Sequence, residues 1–488
     1  MTPKNLVFSS PESLGIPSSA IKNFLDELTE KRLCMHSFLM LRHGKVAAEG
    51  YWPPFNKDHK HRMYSVSKSF TSIAVGMMID EGKIALTSKI AEFFPEHLPA
   101  SPHPYVLEAT VRDLLMMATY NESNSYNWKS TNYTETFFTD NNPKHKPGQF
   151  FHYDTAATTV LCAIVEKLSG KTMLEYMMPV LEQTGFSKDT YCIETPEGRS
   201  WTGSGIMCTS RDLARFALLC TNGGKWNGKQ LLSRDYVNEA TSLQIDTSIS
   251  ADYMEMRYGY GYQFWRLRKG GFAMCGMGSQ FAFCMPQHGT ILILTGDTQG
   301  TACAADILFN MYYDLVEKLS PTPLPEDIDA QNKLAECISK LALPLPLGKT
   351  ETLLAKEISG RKYILDKNNA GIKWLQLHIE ADKCRLQYEN ATGEHELIFG
   401  MGKYEPQLFP EKYNGRRMGV RDTHYKCIGA GAWAEDKTLL GTIYSVDDHL
   451  GSVKLQLTFT DNEVCGYMTK AAEDFFDEYQ GFLVGKIK

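Results

Sequence analysis

The sequence shows no marked surplus of either charge. Among its 488 residues, 51 lysines and arginines stand against 57 aspartates and glutamates, a formal net charge of −6. That balance excludes the basic footprint of a nucleic-acid binder or of a protein held on an anionic membrane surface. No stretch approaches the roughly 18 consecutive apolar residues of a membrane span. The N-terminal Met1-Thr-Pro-Lys-Asn-Leu-Val-Phe8 lacks the apolar core of a secretory signal. The 12 cysteines are scattered singly from Cys34 to Cys465, with no C-x-x-C pair and no Cys/His cluster at metal-ligand spacing. The expectation is a cytoplasmic protein with reduced thiols, no structural metal and no cofactor. A G-x-S-x-G nucleophile elbow is also missing, which removes support for a Ser-His-Asp hydrolase.

What is present is ordinary globular composition, 43% hydrophobic and 22% charged, enough to bury a real core. The length exceeds that of one ordinary domain. Prolines crowd Ser320-Pro-Thr-Pro-Leu-Pro-Glu-Asp327 and Leu343-Pro-Leu-Pro-Leu-Gly348, a density that suits a semi-rigid linker. The organisation expected is therefore a large domain over 1–319, a linker over 320–349 and a β-rich domain over 350–488. In the tail, Leu375, Leu377 and Ile379 alternate with polar residues, as do Val453, Leu455, Leu457 and Phe459, the period of half-buried strands. Upstream, helical spacing of Ile21, Phe24, Leu25 and Leu28 is followed by a strand pair around His43-Gly44-Lys45. Three further strand-like runs lie near 272–275, 280–285 and 290–294, and a helix-like run follows from Ala302 to Leu319. Strands from both ends with a helical middle predict an α+β fold, an antiparallel sheet flanked by helices plus a helical lobe.

Three segments carry chemistry. Ser65-Val-Ser-Lys68 is an S-x-x-K sequence opening a helix in which Phe70, Ile73, Ala74, Met77 and Met78 recur at helical spacing before Gly82. This spacing puts Lys68 one turn past Ser65 on the same face, where burial and the helix dipole both disfavour the lysine cation. A serine hydroxyl becomes an effective nucleophile when a neighbouring base takes its proton, and the Ser65 N–H at the helix start can hold a developing oxyanion. The pattern alone is weak, because Ser19-Ala-Ile-Lys22 and Ser359-Gly-Arg-Lys362 repeat it; an N-capping serine and a solvated lysine are the plainer reading. The second segment, Pro147-Gly-Gln-Phe-Phe-His-Tyr153-Asp-Thr155, places a phenol before a buried helix, where it could relay a proton or simply pack. The third, Met274-Cys-Gly276-Met277-Gly278-Ser-Gln280, is a glycine-flanked strand end. It reads either as a bulge or as a backbone edge offering a second oxyanion donor near Met277 or Gly278. Cys275 has nothing adjacent in sequence to activate it.

In that order and over that span, the three segments resemble the serine β-lactamase and penicillin-binding-protein family. The likeness is greatest to its class C-like branch, which includes esterases, D-aminopeptidases and other amide hydrolases. Thr110-Val-Arg-Asp-Leu-Leu-Met-Met117, Gly205-Ile-Met-Cys-Thr-Ser-Arg-Asp212, Asn222-Gly-Gly-Lys-Trp226 and Tyr258-Gly-Tyr-Gly-Tyr262 fit the same family, and the likeness covers roughly residues 10 to 319. The resemblance implies that Ser65 is the acylated nucleophile, Lys68 its proton partner and Tyr153 the companion base. Thr155, Gly276, Met277 and Gly278 are then substrate- or oxyanion-binding. Two departures stand out. The family's Tyr-x-Asn reads Tyr153-Asp154-Thr155, and the strand that would carry Lys-Thr-Gly reads Met274-Cys275-Gly276, without a cation. Ser-Asp-Asn is absent too. These features favour a small-molecule ester, amide or peptide substrate over β-lactams or peptidoglycan stems. The alternatives are a D-amino-acid peptidase or amidase, a transacylase, or a sensor that keeps the fold without turnover. The tail looks similar to the lipocalin-like barrel some relatives carry, with a role in capping the cleft or in forming a homo-oligomer left open.

Overall fold

The computed structural model describes residues 5–121, 129–251, 253–412, 424–473 and 475–488. The chain divides into two compact units, Met1–Leu343 and Pro344–Lys488. The first is built on a seven-stranded sheet in the order Val7–Phe8, Lys45–Tyr51, Met35–Arg42, Thr290–Gly296, Gln280–Met285, Phe272–Gly276, Trp265–Arg266. Every pairing is antiparallel except that of Val7–Phe8 with Lys45–Val46. The tight turn at His43-Gly44 makes the first hairpin, with both residues at positive φ.

Side chains alternate across this sheet, so neighbouring residues serve opposite faces. Phe283 stacks on Tyr312 of the helix Ala304–Glu317, with ring centroids 5.2 Å apart. Cys284, next in the strand, lies beside Thr221 and Cys220 at the end of the helix Ser210–Thr221. Helices thus cover both faces, and this is why Met35–Arg42, Gln280–Met285 and Thr290–Gly296 are buried along their whole length rather than alternately. The helix Ser67–Asp80 packs in turn on Ser210–Thr221, where Phe70 stacks on Phe216 at 3.7 Å. It is further enclosed by Thr155–Ser169, Met173–Leu181 and Arg234–Ala240. A β-carbon at Gly76 would lie 2.3 Å from the Tyr236 ring, so the helix needs glycine there to approach Arg234–Ala240.

The second unit is a barrel. Strands Gly393–Met401, Lys383–Asn390, Trp374–Ile379, Lys362–Leu365, Gly481–Ile487, Glu463–Ala472, Gly451–Phe459, Thr438–Ser445 and His424–Glu435 follow one another. The ring closes where Gly400 and Met401 pair in parallel with Ala430 and Gly431. Glu405–Lys412 adds as a further strand beside His424–Glu435. Leu375, Leu377, Val453, Leu455, Leu457 and Phe459 all point inward, as their alternation predicts. The barrel interior leaves a cavity of only about 20 Å³, room for about one water. Among the described residues the interior is a packed core of side chains.

The stretch expected as a linker over 320–349 is divided otherwise. Residues up to Leu343 belong to the first unit, because Ser320 N and Leu324 N donate to the carbonyls of Gly15 and Glu12. The helix Ile328–Ser339 then lies along Ser18–Glu30 with Leu334 buried, and Gln331 Nε2 donates to Glu12 Oε2 at 2.8 Å. Prolines in this stretch remove donors, but the intervening N–H groups bond to the first unit and hold the chain to it.

Candidate active site

Ser65 sits in a single 3₁₀ turn, Tyr64–Val66, that runs directly into the helix Ser67–Asp80. Tyr64 takes a left-handed backbone, φ 46°, a strained conformation of the kind that collects at functional sites. One turn on, Lys68 is fully buried. Its Nζ donates to Ser65 Oγ at 3.0 Å and to the Gly203 carbonyl at 2.6 Å. Burial lowers the Lys68 pKa to about 7, with the Arg62 charge pushing the same way and Asp154 opposing both. A lysine so placed is a proton acceptor near neutral pH.

Tyr153 closes the other side. It precedes Asp154, whose carboxylate caps the helix Thr155–Ser169 by accepting from Ala156 N at 2.9 Å. Ser65 lies beside the phenol. Its ring lies 5.0 Å from Lys68 Nζ and stacks on Trp265 at 5.7 Å. Burial holds the Tyr153 phenol above its ordinary value, with the neighbouring Ser65 hydroxyl partly offsetting that; the hydroxyl is therefore a proton donor at neutral pH rather than a standing phenolate.

The strand Phe272–Gly276 runs its end against this pair. A β-carbon built on Gly276 would lie 2.3 Å from the Met63 carbonyl and 3.3 Å from Ser65 N, so only glycine admits the approach. Beyond it Gly278 and Ser279 turn at positive φ into Gln280–Met285. Gln280 Nε2 pins the turn by donating to the carbonyls of Met277 and Gly296. Cys275 lies at the same place, but burial pushes its thiol up, the reverse of what an activated thiolate needs.

These elements border a cavity of about 640 Å³ lined by Ser65, Tyr153, Gly276, Met277 and Gly278, among others. Two expected site residues do not line it: Lys68, which is buried and reaches Ser65 Oγ and the Gly203 carbonyl, and Thr155. The chain turns at Asp154 to begin the helix, and Thr155 is already its first residue. Sequence reasoning also missed Arg62, whose buried guanidinium lies 4.2 Å and 4.6 Å from the Tyr64 and Trp201 ring centroids and donates to Ser204 O and Oγ. Ser204 follows Gly203, which receives Lys68, so Arg62 fixes the loop that orients the lysine. The Trp201-Thr-Gly-Ser-Gly205 run was the available signal. The cavity wall from Thr298 to Ala305 gave none.

Among the described residues, no group of three or more His, Cys, Asp or Glu is arranged to hold a metal ion. No helix among them is long and apolar enough to cross a membrane.

A family model described as Beta-lactamase matches residues 22–306, more than half of the chain. The 6-aminohexanoate-dimer hydrolase of Paenarthrobacter ureafaciens is 31% identical over 252 residues, covering 47% of this chain and 63% of that protein. The chain thus spans less than two thirds of that relative's length. A solved structure described as a 6-aminohexanoate-dimer hydrolase from Bacillus anthracis superposes with a TM-score of 0.54 at 20% identity, over 64% of this chain and 88% of its own. EstCE1, described as a hydrolase with promiscuous acyltransferase activity, gives 0.50 at 15% identity over 62% of this chain and 98% of its own.

Proposed function

Because the chain belongs to the beta-lactamase family, we propose that it is a serine hydrolase cleaving a small ester or amide through an acyl-enzyme on Ser65. The observation that carries this reading is the 3.0 Å contact between Lys68 Nζ and Ser65 Oγ, with the lysine buried and its pKa lowered to about 7. In its neutral form Lys68 takes the Ser65 proton as Oγ bonds to the substrate carbonyl carbon. The charge that develops on the carbonyl oxygen is met by the N–H groups of Ser65 and of Met277 or Gly278. Tyr153 then gives its proton to the leaving alcohol or amine and takes up from Lys68 the one that came from serine, so that Lys68 and Tyr153 end as they began and one proton leaves with the first product. Water attacks the acyl carbon by the same route reversed, and the acid departs with Ser65 restored.

Amide hydrolysis is the branch favoured by the 31% identical relative, a protein named for cleaving the 6-aminohexanoate dimer. Turnover of chromogenic esters beside their anilide counterparts separates the two branches. Ser65→Ala is expected to abolish both while leaving the thermal transition intact. Lys68→Ala is expected to slow acylation by at least about 100-fold, the scale of a general base. Undiminished turnover in the Ser65 variant would overturn the assignment.

A further inference from the structure

The cavity beside Ser65 is large enough for a drug-sized ligand, at about 640 Å³, and the chemistry of its wall is uneven. Phe151, Tyr153, Trp265 and Phe281 form an aromatic side, joined by Met256 and Met277. The polar part consists of hydroxyls and the Gln299 carboxamide, and among the described residues lining the cavity none carries a formal charge. Charged side chains stand behind this wall, each hydrogen-bonded within the protein, and Lys68 lies behind Ser65. Glu255, buried, is paired with Arg268. The Arg257 Nε donates to the Ala251 carbonyl at 3.2 Å, and Asp306 accepts from Glu255 N at 3.4 Å. Asp297 Oδ1 accepts from Gln299 Nε2 at 3.0 Å. The strand that borders Ser65 presents Met274, Cys275 and Gly276, which offer no cation.

We propose that the substrate is an uncharged, largely apolar ester or amide whose acyl group lies against the aromatic wall, and that carboxylate- and ammonium-bearing acyl groups of the same length are discriminated against. The reason is desolvation: a charged group entering this cavity loses water and finds no counter-charge among the described lining residues, whereas an apolar chain or ring gains contact with Phe151, Trp265 and Phe281. The inference rests on Ser65 as the nucleophile and adds what that nucleophile is offered.

The test uses three p-nitrophenyl esters on the full chain: heptanoate, 6-ammoniohexanoate, which replaces the terminal methyl by ammonium, and the adipate half-ester, which ends in carboxylate. Heptanoate is expected to exceed both charged esters in kcat/KM by at least about 100-fold, the scale of an unpaired charge left in a desolvated site. Values within threefold of one another, or preference for a charged ester, would overturn the substrate class while labelling of Ser65 by a fluorophosphonate left the hydrolase reading standing. If none of the three turns over, the corresponding N-butylamides are competed against fluorophosphonate labelling of Ser65. Protection by the neutral amide alone supports the class; equal protection by charged and neutral amides overturns it. Failure of the fluorophosphonate itself to label Ser65 would instead remove the reading on which the inference rests.

Discussion

Gly276→Ala is the sharpest perturbation of the site that leaves every functional side chain in place. The added methyl would lie 2.3 Å from the Met63 carbonyl oxygen, 3.1 Å from Gln280 Cβ and 3.3 Å from Ser65 N. Ordinary carbon–oxygen contact begins near 3.3 Å, so strand and turn must separate by about 1 Å. Met63 O cannot give way cheaply, because it accepts from Val66 N at 3.1 Å and so holds the turn bearing Ser65. The strand must yield instead, and with it the N–H groups of Met277 and Gly278 move off the carbonyl oxygen they are to receive. Loss of one such donor costs about 100- to 1,000-fold in kcat, or roughly 2.7–4 kcal/mol. The assay is steady-state hydrolysis of a chromogenic ester beside the rate of fluorophosphonate labelling at Ser65, with a thermal melt as control. Both rates are expected to fall by that factor while a cooperative transition persists. A variant within threefold of the parent in both would refute the claim that this strand end supplies the oxyanion donors.

Other outcomes follow from the same geometry. On the proposed mechanism Lys68 accepts the serine proton only when neutral, so kcat/KM is expected to climb about tenfold per pH unit below a limb near 7 and to level off above it; a flat profile from pH 5 to 8 would contradict the role of the lysine. Arg62→Gln removes a buried positive charge that disfavours the Lys68 ammonium, so the limb is expected to move to higher pH, which a merely structural role would not produce. In the barrel, Leu457 is fully buried in a core with almost no free volume. Leu457→Ala is expected to cost about 2–5 kcal/mol on unfolding, measured by calorimetry, and a loss below about 1 kcal/mol would mean that the core relaxes around the gap.

Much of this was legible in the residues because local pattern and tertiary demand agree. The helix opened by Ser65 and the alternation in the tail follow hydrophobic periodicity, and both stand where that periodicity puts them. The three catalytic candidates lie 88 residues apart at most, from Ser65 to Tyr153, and their meeting was readable from the order of segments rather than from any one motif. Thr155 stands outside the cavity lining because a position two residues past Tyr153 is already within the helix, a matter of one backbone turn. Arg62 was missed because an arginine reads as a surface residue until two aromatic rings and a carbonyl are seen to enclose it. The stretch from Ser320 to Leu343 reads as a spacer by proline content, yet the hydrogen bonds of Ser320, Leu324 and Gln331 that tie it to the first unit reach residues some 300 positions away, beyond any local signal.

The central claim, that Ser65 is the acylated nucleophile, is tested most directly by intact mass after incubation with a fluorophosphonate, followed by peptide mapping, with Ser65→Ala in parallel. A single adduct confined to Ser65, absent from the variant and accompanied by ester turnover in the parent, is the expected result. An adduct at another residue, or turnover that survives in Ser65→Ala, would contradict it.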